Sequence, residues 1–209
     1  MKVLIVDDHA LVRRGMISLL KEHFEEVESA EAANAREGLE AVMRESWDVA
    51  VVDISMPGRS GLELVQEMRR ERPTMPILVV SSQAEEDYAL RALKSGASGY
   101  VSKQSASDIL VTAVQRVLAG RRFISPALAE RLAGAVSGDA PVTSHDSLSN
   151  RELQVLQLIA SGQTIKEISS DLALSEKTVA TYRSRISEKM GLSSNVDLTR
   201  YAMQNGLVR

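Results

Sequence analysis

Three short apolar runs limit what this chain of 209 residues can fold into: KVLIVD at 2–7, DVAVVD at 48–53 and PILVVS at 76–81. Each is rich in β-branched residues and barely interrupted by polar ones. A strand with one wet face alternates polar and apolar, whereas a parallel strand covered by helices on both faces reads as a continuous apolar run. EVESA at 26–30 and SGYVS at 98–102 are weaker strand candidates. Helical spacing fills the gaps. Leu11, Ile17, Leu19 and Leu20 can share one broad apolar face, and Leu62, Val65 and Met68 another. A fourth helix ends at Gly96 and a fifth at Gly120, glycine being the residue that most easily turns a helix off. Strand and helix alternate five times over residues 1–119. That order predicts an α/β domain, a doubly wound five-stranded parallel sheet.

In such a sheet the working crevice lies beyond the carboxyl ends of the strands. The first strand runs into Asp7 and Asp8, the third into Asp53, the fourth into Ser81 and the fifth into Lys103. Taken singly, each has an ordinary explanation. An acid after a strand commonly caps the next helix, Met56-Pro57-Gly58 is a turn signal, and a strand-end serine or solvated lysine needs no function. His9 reads as a first-turn surface residue. Taken together they fit less well, because three carboxylates in one crevice repel each other unless a cation sits among them. All-oxygen ligands with room for water suit Mg²⁺. A carboxylate between that cation and an ammonium group is equipped to accept a phosphoryl group.

Asp7-Asp8, the stretch from Asp53 through Met56-Pro57-Gly58, Ser81 and Lys103 resemble the receiver domain of two-component response regulators, in order and in spacing across residues 1–119. The resemblance implies a flavodoxin-like fold. It also implies Asp53 as phosphoacceptor for a sensor histidine kinase. Asp8 and the backbone carbonyl of Ser55 would ligate Mg²⁺ beside Asp53, with Asp7 assisting. Ser81 would be the switch hydroxyl, Lys103 the phosphate-binding lysine and Tyr100 the switch aromatic. Gln104 stands where many receivers carry proline, and Gln83 and Ala84 depart from the commoner residues after the switch hydroxyl.

Residues 120–147 read as a linker. It contains a short helix, SPALAERLAG, with Ser125 as N-cap and Pro126 in the first turn, then the Gly- and Pro-broken AVSGDAPVTSHDS. Four helical signals follow in residues 148–209. Ser149 to Glu152 and Thr164 to Glu167 are capping boxes. Leu153, Leu156, Ile159 and Ala160 line the first helix, and Ile168 and Leu172 follow in the second. Ser175 caps a third helix that turns Val179, Tyr182, Ile186 and Met190 inward and stops at Gly191. Ser194 opens a fourth, bearing Leu198, Tyr201 and Ala202. The turn between the second and third is short, as in a helix-turn-helix. The outer face of the third holds Lys177, Ala180, Thr181, Ser184, Arg185 and Glu188. Small and hydroxylated residues can approach base edges, and flanking cations can reach phosphates. By itself that face is equally a solvated surface.

The stretch from LSNREL to MGLSS closely resembles the LuxR-type helix-turn-helix domain, and a receiver followed by it is the pattern of the NarL/FixJ subfamily. The resemblance implies an all-α four-helix DNA-binding domain over 148–209. Lys177 and Thr178 match phosphate contacts, as does Lys166, and Ala180, Thr181 and Ser184 match positions near bases, with Arg185 beside them. The fourth helix matches a dimer contact, which implies a homodimer when active. Double-stranded DNA is then the expected partner, and RNA polymerase a further candidate.

Net charge is −5 over residues 1–119 and +2 over 148–209, a weak bias of the second domain toward polyanions. Cysteine is absent, which excludes disulfides and thiolate metal sites. No apolar run approaches the roughly 18 residues of a membrane span, and the chain turns acidic at Asp7, too early for a signal peptide. A cytoplasmic location and no membrane partner are expected. The expected function is that of a phosphorylation-activated transcriptional regulator, not an enzyme acting on outside substrates. One alternative is a receiver that works without phosphorylation, against which the complete set Asp7, Asp8, Asp53, Ser81 and Lys103 speaks. Another is a phosphatase with Asp53 as nucleophile, which would need a general acid where Ser55 stands. A dinucleotide-binding reading lacks its glycine fingerprint after the first strand.

Overall fold

A computed structural model describes residues 1–83, 85–126, 128–130 and 144–208, without the side chains of Glu86, Asp87 and Ser144. The chain divides into two compact units, 1–138 and 139–209. Ala84, Ala127 and residues 131–143, which include the end of the expected short helix and most of the expected linker, lie outside the described residues.

In the first unit the strands are β1 (Lys2–Val6), β2 (Glu28–Ala32), β3 (Val49–Val52), β4 (Ile77–Ser81) and β5 (Gly99–Ser102). All pair in parallel in the order β2-β1-β3-β4-β5. The helices are α1 (Ala10–His23), α2 (Ala35–Arg44), α3 (Gly61–Glu71), α4 (Glu85–Lys94) and α5 (Ala106–Leu118). The apolar runs bury both faces as expected, with every residue of β3 and β4 buried. Val3, Ile5, Val49, Val51, Leu78 and Val80 form one core with Met16 and Leu20 of α1 and Leu110, Val114 and Val117 of α5. The alternate residues turn to the other face, where a Cβ on Gly38 of α2 would meet Val6 and Leu64 at 3.1 and 3.3 Å.

Two expectations shift. Leu11 is 84% exposed. The stripe that α1 buries runs through Val12, Met16 and Leu20, and at 3.6 residues per turn Leu11 lies about 100° off it. β2 begins two residues later than the pattern suggested. Glu26 takes a left-handed φ of 49° in the preceding turn, and β2 is an edge strand whose sequence carries little apolar signal. The helix stops behave as read. Gly96 at φ 104° ends α4, with its N–H on Leu93 O and that of Ala97 on Ala92 O, the paired closure that a left-handed residue allows. After Gly120 the chain turns back, and Phe123 bonds beside β5 on Tyr100 and Ser98. Ser125 Oγ accepts the Leu128 N–H at 3.1 Å, as an N-cap should.

The second unit contains α6 (Asn150–Ala160), α7 (Ile165–Asp171), α8 (Glu176–Met190) and α9 (Asn195–Gln204). Ser149 and Thr164 form complete capping boxes with Glu152 and Glu167, and Ser175 and Ser194 cap α8 and α9. Leu153, Leu156, Ile168, Val179, Ile186, Leu198 and Ala202 make the core. Buried Glu152 meets Lys189 at 2.7 Å, joining α6 to α8. In the tight turn Ala173 takes φ 52°, with its N–H on Ser170 O and that of Leu174 on Ser169 O. That is the closure at Gly96 again, with an alanine in the glycine position.

Candidate functional site

Strand order reverses between β1 and β3, and ligands bind such sheets at that point. Two backbone bonds set the site there: Asp7 N–H to Ala32 O at 3.1 Å, and Asp53 N–H to Val6 O at 2.8 Å. The carboxylates that follow β1 and β3 are thereby held side by side, and both are buried. Lys103, arriving from β5, places its ammonium 2.6 Å from Asp7 Oδ2 and 2.7 Å from Asp53 Oδ2. The other Asp53 oxygen, Oδ1, accepts the Ser55 N–H at 2.9 Å. Asp7 Oδ1 accepts the His9 N–H at 2.8 Å. After Lys103 the chain makes a 3-10 turn over Lys103–Ser105, and the bond to Gln104 is trans, as are all described peptide bonds.

The electrostatics follow from burial and pairing. Burial pushes the Asp53 carboxyl above the ordinary carboxylate range, and Lys103 and the Ser55 N–H offset this only in part. Burial pulls the Lys103 ammonium down, but Asp53 and Asp7 outweigh it and leave it raised. Asp7, Asp8, His9 and Asp53 can each aim one ligand atom so that all lie within 4.8 Å of one another. Asp8 Oδ1 is buried, and the His9 ring nitrogen lies 2.9 Å from it without hydrogen-bond geometry. Asp7 Oδ2 has only the ion pair with Lys103, without hydrogen-bond geometry. Buried carboxylate oxygens left this way carry a cost that a bound cation removes, so the residues present fit a hard divalent ion.

Ser81 is buried at the end of β4, and its oxygen accepts the Gln83 N–H at 3.1 Å. Tyr100 is 1% exposed. Its hydroxyl, which burial keeps protonated by pushing its pKa up, donates to Gln83 O at 2.8 Å.

The structure thus brings Asp7, Asp8, Asp53, Ser81, Lys103 and Tyr100 to one edge of the sheet. Three further features were not visible in the pattern. Arg13 donates to Asp7 O at 2.7 Å and to Glu31 at 2.8 Å, fixing the first acidic turn. The Ser55 hydroxyl lies 3.0 Å from the Ser81 hydroxyl. Gly61 packs so closely on the Asp53 backbone that a Cβ there would sit 2.2 Å from Asp53 O. Helical spacing could have suggested Arg13, four residues after His9. Nothing local signals the other two.

In the second unit, Lys177, Ala180, Thr181, Ser184, Arg185 and Glu188 are all exposed on α8, and Lys166 is exposed on α7. Thr178 is half-buried, its hydroxyl 2.8 Å from that of the Ser175 cap. The Thr181 hydroxyl donates to Lys177 O at 2.9 Å, so its outer side offers a methyl group and lone pairs. Arg183 instead ties α8 to Asn195 of α9 at 2.7 Å. On α9, exposed Val196 and Met203 line an open depression of about 460 Å³ with Ile159 and Gln163. Among the described residues no helix is long and apolar enough to cross a membrane.

Comparison with known proteins agrees with both units. Residues 3–115 match the response regulator receiver domain, and 146–202 match the luxR family of bacterial regulatory proteins. The chain is 38% identical to the response regulator GacA of Pseudomonas aeruginosa, across 99% of this chain and 97% of that one. It is 34% identical to the response regulator UvrY of Escherichia coli, across 98% and 94%. A structure of RcsB from Salmonella enterica serovar Typhimurium, bound to promoter rprA in the presence of phosphomimetic BeF₃⁻, superposes with TM-score 0.67 at 26% identity, covering 96% of this chain and 97% of that one. The chain belongs to the two-component response regulators of the NarL/FixJ subfamily, built from a receiver domain and a LuxR-type helix-turn-helix domain.

Proposed function

We propose that this protein accepts a phosphoryl group on Asp53 from a sensor histidine kinase and, so modified, regulates transcription by binding specific DNA sequences as a homodimer. The observation that carries the reading is the Lys103 ammonium set between Asp7 and Asp53, beside a buried carboxylate oxygen of Asp8 that accepts no hydrogen bond. Asp53 Oδ2 faces the cation that would hold the incoming phosphoryl oxygens. As the P–O bond forms, the donor's P–N bond breaks and its ring nitrogen keeps the electron pair. Lys103 moves its hydrogen bonds from the carboxylate to the transferred group. Asp8, Asp53 and the Ser55 carbonyl would hold Mg²⁺, with Asp7 assisting, and the ion would supply neutralisation of the charge that develops on the phosphoryl oxygens. Ser81 then turns toward the new anion, and through Gln83 its position is coupled to Tyr100.

The exposed face of α8 carries the DNA reading. Ala180, Thr181 and Ser184 are small enough to approach base edges, and Lys177, Arg185 and Lys166 border them as phosphate contacts. The RcsB–promoter complex supports the same use of this domain. Val196 and Met203 give α9 an apolar face suited to a second copy. The protein acts in the cytoplasm and turns over no outside substrate. With RNA polymerase as a further partner, the reading is that of a transcription factor.

The test is chemical. With Mg²⁺ and acetyl phosphate, intact-mass spectrometry should show one phosphoryl group gained and lost again on mild hydrolysis, and Asp53→Asn should gain none. Undiminished labelling of Asp53→Asn would remove Asp53 as the acceptor.

A further inference from the structure

Ser55 is tied to two parts of the site at once. Its N–H donates to Asp53 Oδ1, and its hydroxyl meets the buried Ser81 hydroxyl at 3.0 Å. Ser81 Oγ already accepts the Gln83 N–H, and Gln83 O accepts the Tyr100 hydroxyl. A continuous chain of bonds therefore runs from the acceptor loop to Tyr100, and Ser55 is its first side chain.

Burial favours one direction for the Ser55–Ser81 bond. Ser81 is 0% exposed, so its single proton must find an acceptor inside the fold. Ser55 is exposed and can give its own proton to water. With Ser81 as the donor, that proton goes to the Ser55 hydroxyl. A phosphoryl group on Asp53 offers oxygens that only accept, so Ser81 can bond to it only by turning the same proton away from Ser55. The two bonds exclude each other.

We propose that the Ser55 side chain is a positioning residue that holds the Ser81 hydroxyl in the unphosphorylated protein and so opposes its turn toward an anion on Asp53. This rests on the reading of Asp53 as phosphoacceptor and adds the group that sets the balance between the two positions of the switch hydroxyl. Removing the Ser55 hydroxyl removes a bond that competes with the anion for the Ser81 proton. Affinity for the anion therefore rises, by about 2- to 10-fold for one net hydrogen bond.

Beryllofluoride is the probe, titrated with Mg²⁺ into full-length protein, with the bound fraction read by fluorine NMR. Ser55→Ala should bind it more tightly by that factor. Ser55→Thr, which keeps a hydroxyl, should return to about the wild-type value. In a Ser81→Ala background, Ser55→Ala should change nothing, because the hydroxyl it would hold is gone. Unchanged or weaker binding by Ser55→Ala, or equal tightening in the Ser81→Ala background, would overturn the proposal while leaving Asp53 as acceptor. A wild type that binds no beryllofluoride would overturn the acceptor reading, and this inference with it.

Discussion

Gly61→Ala should disable the acceptor site without touching any charged group. The added Cβ would lie 2.2 Å from Asp53 O and 2.5 Å from Ile54 Cα. Ordinary contact begins near 3.4 Å, so the two backbones must separate by about 1.2 Å. Neither obstacle is a flexible side-chain end. Asp53 N is bonded to Val6 O, and Ser60 caps α3 through Leu62 N, so both sides of the contact are anchored. Overpacking of this kind costs about 1–3 kcal/mol, or a fall in Tm of about 3–12 °C for a domain of this size. The chemical effect should be larger. A displacement of about 1 Å can cost ~100-fold in rate, and Asp53 has to hold its 2.7 Å relation to Lys103. Initial rates of labelling by acetyl phosphate would measure this. Gly58→Ala is the control: at φ 76°, with open space where the added Cβ would go, it should lose about 1–2 kcal/mol to backbone strain and keep its labelling rate within a few-fold. Gly61→Ala protein that labels at the wild-type rate with an unchanged Tm would refute the close-packing argument.

Ala173→Gly should stabilise the helix-turn-helix unit by up to about 1 kcal/mol, seen as a higher urea midpoint, because alanine now occupies a left-handed position. For Glu152, burial pushes the carboxyl up, but Lys189 and the Ser149 N–H pull it below its ordinary value of 4.5. A lowered value stabilises the fold above that pH and is lost as pH falls through the folded value. Glu152→Gln should therefore be less stable at neutral pH, and its deficit should shrink in acid denaturation profiles below about pH 4.5. Lys177→Ala should weaken all DNA sites alike and reduce the salt slope by about one phosphate contact. Ser184→Ala should change which bases are preferred in selected sequences, and the opposite assignment of these two effects would show the helix face to be misread.

Most of the sheet was legible because β1, β3 and β4 are buried on both faces, and an unbroken apolar run is hard to place elsewhere. The acidic edge was legible for a related reason: parallel strands all end on one side, so residues that follow them must converge. What failed was finer. Leu11 counted as apolar, but only position on the α1 surface decides that Met16 and Leu20 face the sheet. β2 is ESAEA, and its place comes from pairing with β1, not from its own composition. The Ser55 hydroxyl and the snug fit of Gly61 on Asp53 depend on how two loops from distant parts of the chain meet, which no spacing encodes. In the second unit, capping boxes marked α6 and α7 well. Ala173 was hidden, because the residue that usually announces such a turn is glycine.

Phosphate on Asp53 should control DNA binding. This is tested most directly by DNA affinity of the full-length protein on one fragment recovered by selection, at one salt concentration, with and without acetyl phosphate and Mg²⁺. Asp53→Asn is measured in parallel. Wild type should bind more tightly after phosphorylation, and Asp53→Asn should not respond. Equal affinity of the two wild-type samples, with Asp53 shown by mass spectrometry to be modified, would contradict it.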